Sequence, residues 1–466
     1  MKDYYVPDPS NISGNHSMKI FEHFNFIFKD KTKDRFVIAT SGGSDSILLL
    51  YLVCRYFPDY KNKIIIGHIN HNIRDDSIID EEFVKIIGKA LKIKTYVRYL
   101  NPKNKLKKDN LESWSRDERY KHLNLILKET NSQWIITAHH ANDQAETFLA
   151  NIAKKSGLFG LGGIKEINGN IIRPLLPFSK IDLSKIIKKN KIPSIYDESN
   201  NNNRFNRNFI RNKVVKNWEK RNVNLISGIN CSINFIKEWQ ETMMFFINDF
   251  LNTHSKKTKN NTTLVNKNHF KALPVLAQIT SLQLLTNSIG VLRKKDFNKI
   301  KQFLLKDKVG STYKTKNSFI ILIDRDLIII DKFIPLEKNI LELQLGKNIR
   351  FGNYNYFLSD NVDEVSFTSN PNQELIDFDK IKNKKLILRN WEYGDYFTPL
   401  GMHGTQKLSD LLINNKKNIF QKNTQTVLTA NGKIIWVCGL RIDDSVSITN
   451  RTKNYLEIKR FYIQAY

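Results

Sequence analysis

A run of apolar and β-branched residues, Phe36-Val37-Ile38-Ala39-Thr40, leads directly into Ser41-Gly42-Gly43-Ser44-Asp45-Ser46, and an apolar helical pattern from Ile47 to Phe57 follows without a break. A strand that turns through two glycines and restarts as a helix makes a phosphate cradle. Gly42 and Gly43 let successive backbone N–H groups converge, the serine hydroxyls add donors, and the helix points its positive dipole end at the anion. Asp45 would repel phosphate unless a cation lay between them, so its position is that of a ligand, direct or through water, for the Mg²⁺ that accompanies a nucleotide.

No G-x-x-x-x-G-K-[ST] sequence occurs in the chain, which sets it apart from ordinary P-loop NTPases. The hexapeptide resembles the S-G-G-x-D-S signature of the PP-loop ATP pyrophosphatases. That resemblance implies cleavage of ATP between its α- and β-phosphates and attachment of AMP to a carbonyl-type oxygen. It assigns ATP binding to Ser41, Gly42, Gly43, Ser44, Asp45 and Ser46. Ser- and Gly-rich turns between a strand and a helix also occur without a ligand, so the rest of the chain has to decide.

Strand-like runs at Phe36–Thr40, Ile64–Ile69, Thr95–Leu100 and Trp134–Ala138 alternate with helical patterns, predicting a parallel sheet with helices on both faces. Ligands of such sheets gather at the carboxyl ends of the strands. There lie His68-Ile69-Asn70-His71-Asn72-Ile73-Arg74-Asp75-Asp76-Ser77 and His139-His140-Ala141-Asn142-Asp143-Gln144-Ala145-Glu146-Thr147. Asp143 and Glu146, three apart at a helix start, share one face with His139 beside them, which suits metal binding and proton handling near a phosphate. The alternative is a helix N-terminus stabilised by its own carboxylates. In the helix Asn110–Tyr120, Arg116 and Arg119 project together, and an arginine fork grips phosphate oxygens in two places. As a plain helix this segment would instead be salt-bridged and solvated.

Four glycines within Lys155–Ile164 suit a loop passing close to a ligand, and Arg173-Pro174 follows. After an asparagine run, Arg204-Phe205-Asn206-Arg207-Asn208-Phe209-Ile210-Arg211 reads as a basic, aromatic segment that contacts RNA.

With 466 residues and 41% hydrophobic content the chain is long enough for about three domains. Its 74 Lys+Arg against 46 Asp+Glu leave a formal charge of +28, which points to a polyanionic partner, although the heavy use of Lys, Asn and Ile is also what an AT-rich genome produces. Three separated cysteines, Cys54, Cys231 and Cys438, exclude a disulfide framework and a cysteine-built zinc or iron–sulfur site. No apolar stretch reaches membrane-spanning length and the polar start lacks a signal-peptide pattern, so a cytoplasmic protein is expected.

In order and spacing these segments resemble the tRNA(Ile)-lysidine synthetases: S-G-G-x-D-S, then H-x-x-R-x-x-S on His71, Arg74 and Ser77, then A-R-x-x-R-Y on Arg116, Arg119 and Tyr120, then H-H-x-D-D-Q-x-E-T on His139 to Thr147. Near the C-terminus, Arg389-Asn390-Trp391-Glu392-Tyr393-Gly394-Asp395 to Pro399-Leu400-Gly401-Met402, continued by Lys407-Leu408-Ser409-Asp410-Leu411, resembles the entry to that family's C-terminal domain. Asn142 stands where the family has the first Asp of its pair, and Ser115 where it has Ala.

The resemblance implies an α/β catalytic domain over residues 1–217, a helical tRNA-binding domain over 218–310, with Ser255 to Lys267 as a mobile loop, and a mixed α/β tRNA-binding domain over 311–466. It implies adenylation of the wobble cytidine of a tRNA(Ile) with a CAU anticodon, then displacement of AMP by free L-lysine, by a monomer or a homodimer. Asp45, Arg116, His139, Asp143 and Glu146 are then the catalytic candidates, with Asp45 and Asp143 on Mg²⁺. Arg74, Arg119, Arg173, Arg204, Arg207, Arg211 and Lys407 are the tRNA contacts. The alternatives are a 2-thiolating PP-loop enzyme, against which the lack of paired cysteines argues, and a noncatalytic tRNA-binding protein.

Overall fold

The computed structural model describes residues 5–12, 15–72, 77–101, 111–195, 206–258, 261–288, 294–332, 340–362 and 370–463. They form two compact units, one of residues 1–249 with 289–298, the other of 250–288 with 299–466. The helical region expected over 218–310 is thus shared between them.

In the first unit, α1 (Asn15–Phe28) precedes β1 (Phe36–Ala39), α2 (Ser44–Tyr56), α3 (Tyr60–Lys63), β2 (Ile64–Asn70), α4 (Ser77–Ala90), β3 (Thr95–Tyr99), α5 (Leu111–Glu129), β4 (Trp134–Ile136) and α6 (Ala141–Ala153). Then come α7 (Leu158–Leu161), the short β5 (Ile167–Asn168) and β6 (Ile171–Ile172), α8 (Lys180–Lys189), α9 (Asn206–Phe209) with a wide π-type turn over Ile210–Val215, α10 (Lys216–Glu219) and the long α11 (Leu225–His254). The sheet runs β3-β2-β1-β4-β6-β5, parallel except for the last pair.

Period-two alternation explains why the sheet is buried on both sides. Phe36, Ile38, Ile64, Ile66 and Ile136 face one core with α1 and α2, whereas Val37, Ile65 and Ile135 face a second core with Leu123 and Ile126 of α5. Strand order reverses direction between β1 and β4, so a crevice opens where their carboxyl ends release the two chains. The serine–glycine loop leaves β1 there, and His139-His140 leaves β4.

The second unit is antiparallel. One sheet orders Ser255–Lys257, Thr263–Asn266, Leu327–Lys332, Phe319–Ile323 and Thr312–Lys314. The lysine-rich segment expected as a loop is therefore a hairpin: Thr263 and Val265 are buried and pair with a strand more than sixty residues downstream, a partner that local sequence does not reveal. A five-stranded sheet (Ile340–Glu342, Leu386–Asn390, Thr426–Ala430, Lys433–Val437, Arg441–Ile442) and a four-stranded one (Ile349–Phe351, Tyr354–Ser359, Tyr455–Tyr462, Gln373–Asp377) share a core around Tyr356, Leu388, Leu428, Trp436 and Ile458. Among the described residues no helix is long and apolar enough to cross a membrane.

Candidate active site

The loop after β1 holds its shape through its own groups. Gly42 takes φ +92°, a left-handed conformation that a side chain would strain. The Ser46 hydroxyl donates to the Gly43 carbonyl at 2.8 Å and accepts from the Ser41 N–H at 3.2 Å, so this buried serine braces the turn. Ser41 and Ser44 are less enclosed and remain as donors toward the crevice. Behind the loop, buried His68 on β2 lies 2.9 Å from the Thr40 carbonyl through Nδ1. At the end of the same strand, Asn70 donates to the Ser77 carbonyl at 3.2 Å and to Glu81 at 3.0 Å, tying β2 to the start of α4.

Asp45 lies in the first turn of α2, faced by a lysine and a histidine from elsewhere in the chain. Lys180, the first residue of α8, bonds its Oδ1 and also donates to the Ser44 hydroxyl at 3.2 Å; His140 Nε2 stands 3.6 Å from Oδ2. Burial pushes this carboxyl up, but His140 and Lys180 outweigh it and hold Asp45 below the usual carboxylate range. The start of α8 is fixed by Ser179, which caps it, and by Asn142, whose Oδ1 accepts the Lys180 backbone N–H at 2.9 Å. The family's unusual position is thus occupied by a residue that orients the lysine on Asp45.

Asp143 and Glu146 share one face of α6, as their spacing predicts. That face receives two arginines from the segment 206–215. Arg207 donates to Asp143 at 2.7 Å and to Glu146 at 2.9 Å, and Arg211 donates to Glu146 at 2.6 Å and to Asp143 at 3.2 Å. Asp143 also accepts the His140 backbone N–H at 2.9 Å and faces His140 Nδ1 at 3.6 Å. Burial would raise the Asp143 carboxyl, but the charges of His140 and Arg207 drive it far below its ordinary value. His140, pushed down by burial, is raised on balance by Asp143 and Asp45.

The imidazole of His140 therefore presents one ring nitrogen to each of Asp45 and Asp143, the two residues expected on one metal ion. Mg²⁺ needs oxygen ligands in a tight octahedron and commonly takes one or two carboxylates, water and phosphate. Asp45, in the crevice and partly exposed, fits that requirement. Asp143 has its oxygens committed to arginine and backbone donors.

His139 points to a different cluster. Its Nδ1 lies 2.8 Å from the Thr137 hydroxyl, and burial, reinforced by Arg119, Arg173 and Arg116, pushes the imidazole down to about 3. It is neutral at working pH. Arg116 and Arg119 lie 5.5 and 5.2 Å from the centre of the Tyr120 ring, and Arg173, buried, donates Nη1–H to the Lys165 carbonyl at 2.7 Å. Burial raises the Tyr120 phenol, yet the charges of Arg119, Arg116 and Arg173 lower it on balance. The Nε atoms of Arg119 and Arg173 are buried with no hydrogen-bond partner among the described residues. Such an arrangement is suited to an anion.

The glycine-rich loop packs on neighbouring side chains. Gly163, at φ +66°, lies so near Gln144 that a Cβ would meet its Oε1 at 2.3 Å, and Gln144 in turn accepts the Ile164 N–H at 2.6 Å. Gly162 makes a similar approach to Gln240, where a Cβ would meet Nε2 at 2.7 Å, whereas a Cβ on Gly157 would meet nothing within 4 Å. Lys407 is exposed in the second unit, in the strand pair with Tyr396. Arg74 and Arg204 lie outside the described residues. Lys180 and His140 were missed as site residues: a lone lysine 135 positions after Asp45 carries no local pattern, and the second histidine of a pair is indistinguishable from the first.

A PP-loop domain model matches residues 16–218, and a model described as the TilS substrate C-terminal domain matches residues 386–458. A tRNA(Ile)-lysidine synthase of Clostridium perfringens is 28% identical over 92% of this chain and 95% of its own. One from Thermosipho africanus is 37% identical over 42% of this chain and 45% of its own. A solved U34-tRNA thiolase of Methanococcus maripaludis, at 17% identity and TM-score 0.41, covers 48% of this chain and 80% of its own. The nucleotide loop, the motif order across the first unit and the matched C-terminal domain together show that the chain belongs to the tRNA(Ile)-lysidine synthase family, ATP-binding PP-loop ligases that modify tRNA.

Proposed function

We propose that this protein uses ATP to join lysine to carbon 2 of the wobble cytidine in the CAU anticodon of tRNA(Ile), releasing pyrophosphate and AMP. The observation that carries the reading is that the two histidines leaving β4 face two charged groups, His140 toward Asp45 of the glycine loop and His139 toward the cluster of Arg119, Arg173 and Arg116, in which two buried Nε atoms have no partner among the described residues.

The cytosine oxygen attacks the α-phosphorus while the bond to the β-phosphate breaks and its electron pair leaves with pyrophosphate. Loop N–H groups and the α2 dipole hold the phosphates, and Arg116, Arg119 and Arg173 carry anionic charge on the substrate side. Asp45 would hold Mg²⁺, which supplies charge neutralisation for the leaving pyrophosphate. Neutral His139, locked by Thr137, is suited to hydrogen bonding with the cytosine, since an imidazole titrating near 3 carries no spare proton at neutral pH. In the second step the lysine amine attacks carbon 2 and AMP departs with the C–O electron pair. Asp143 and Glu146 hold the cationic heads of Arg207 and Arg211 and so fix segment 206–215 against α6. The wobble base must leave its stack to enter, and basic residues of the regions 218–310 and 311–466 grip the tRNA while residues 1–217 carry the catalysis. The setting is the cytoplasm.

The test is transfer of labelled lysine to a tRNA(Ile) transcript with a CAU anticodon, followed by mild alkali. Alkali-stable label is expected. Binding of ATP and tRNA without stable label overturns the reading.

A further inference from the structure

The nucleotide loop has no lysine of its own, yet an ammonium group lies on it. We propose that Lys180 is the phosphate-binding lysine of this ATP site, supplied from the start of α8 and parked on Asp45 until nucleotide arrives. This rests on the reading above.

Three observations carry it. Lys180 Nζ reaches both Asp45 and the Ser44 hydroxyl, two side chains in the first turn of α2, the point at which the loop N–H groups and the helix dipole receive phosphate. Its side chain is 37% exposed and that of Asp45 28%, so the pair lies open to the crevice, and an ion pair that exposed contributes little as a structural tie. The backbone of Lys180 is held independently, by Asn142 and the Ser179 cap, and the apolar face of α8 is anchored by buried Leu183 and Ile186. The fold therefore has no need of the ammonium, whereas an aspartate beside a phosphate site does.

In the structure the lysine balances Asp45. Once Asp45 turns to the cation that accompanies the nucleotide, Lys180 is released a short distance from the same phosphates. There it meets the negative charge that builds on pyrophosphate as the bond from the α-phosphorus to the bridging oxygen breaks and the electron pair leaves with the β-phosphate. A lysine suits this role as a compact point charge on a long flexible stem, able to move between carboxylate and phosphate.

The experiment compares Lys180→Met and Lys180→Arg with the unchanged protein in four readouts: thermal midpoint, ATP affinity by calorimetry, tRNA affinity by filter binding, and the kcat and KM of tRNA-dependent pyrophosphate release. Lys180→Met should keep its midpoint within about 2 °C and its tRNA affinity within twofold. It should lose at least tenfold in ATP affinity and tenfold or more in kcat, and Lys180→Arg should recover part of both. ATP affinity and kcat unchanged in a folded Lys180→Met protein overturn the proposal, as does a loss confined to tRNA affinity. If the midpoint of Lys180→Met collapses, a folded Lys180→Arg with full loss of ATP affinity also overturns it, since the charge alone would then not serve. Absence of pyrophosphate release from the unchanged protein would instead fail the functional reading, and ATP affinity then decides the lysine by itself.

Discussion

Glu146 is 1% exposed and takes an Nε–H from each of two arginines, so among the described residues its charge is compensated through segment 206–215. Glu146→Gln leaves both guanidinium groups with a weaker acceptor. Because the arginines remain about one-third exposed, the cost should be well below that of breaking a fully buried pair, about 2 kcal/mol, read as a fall in thermal midpoint. His139 makes a prediction of opposite character. Its value of about 3 in the folded chain lies below the unfolded value of about 6.5, so the unfolded chain takes up the proton first. Its stability contribution is complete above about pH 6.5 and is lost as pH falls toward 3, by at most about 1.4 kcal/mol per pH unit. His140, raised by its two carboxylates, has the reverse sign and favours the fold below about pH 6.5. His139→Asn should therefore show a flatter fall of midpoint between about pH 6.5 and 4.5, measured by calorimetry.

At the scale of elements, charges pair across helices: Lys180 of α8 meets Asp45 of α2, and the arginines of segment 206–215 meet Asp143 and Glu146 of α6. The turn after α7 is part of this fit. Gly163→Ala combines a left-handed φ with a contact at 2.3 Å to Gln144, and should cost about 1–3 kcal/mol and slow pyrophosphate release, while Gln144→Ala in the same background should recover some stability by making room. A double mutant no better than Gly163→Ala would mean that backbone strain, and not the contact, sets the cost. Arg207 and Arg211 looked from their spacing like an RNA-binding stripe. In the folded chain both are turned onto Asp143 and Glu146, so Arg207→Ala is expected to lower stability first.

Over the whole molecule the charge of +28 favours association with a polyanion such as tRNA. Affinity should fall steeply with salt, and exposed Lys407 should account for about one unit of the slope of log K against log salt, to be found by filter binding of Lys407→Ala across a salt series. Arg207→Ala should leave that slope nearly unchanged. Equal slopes for Lys407→Ala and the unchanged protein would remove Lys407 from the tRNA surface.

Local pattern determined the alternating strands and helices of the first unit, the glycine-bent loop and the shared face of Asp143 and Glu146, because these follow from period, turn chemistry and helical spacing within a few residues. It also carried the family, through motifs that keep their order along the chain. Tertiary structure alone decided which charge meets which. Lys180 reaches Asp45 across 135 residues, His140 rather than His139 stands between the acids, arginines 64 and 65 residues downstream cover Asp143 and Glu146, and a lysine-rich stretch becomes a hairpin because its partner strand lies far along the chain. Ion pairing depends on distance in space and on burial, neither of which a linear pattern encodes, so the charged residues of the crevice were legible as types while their partners were not.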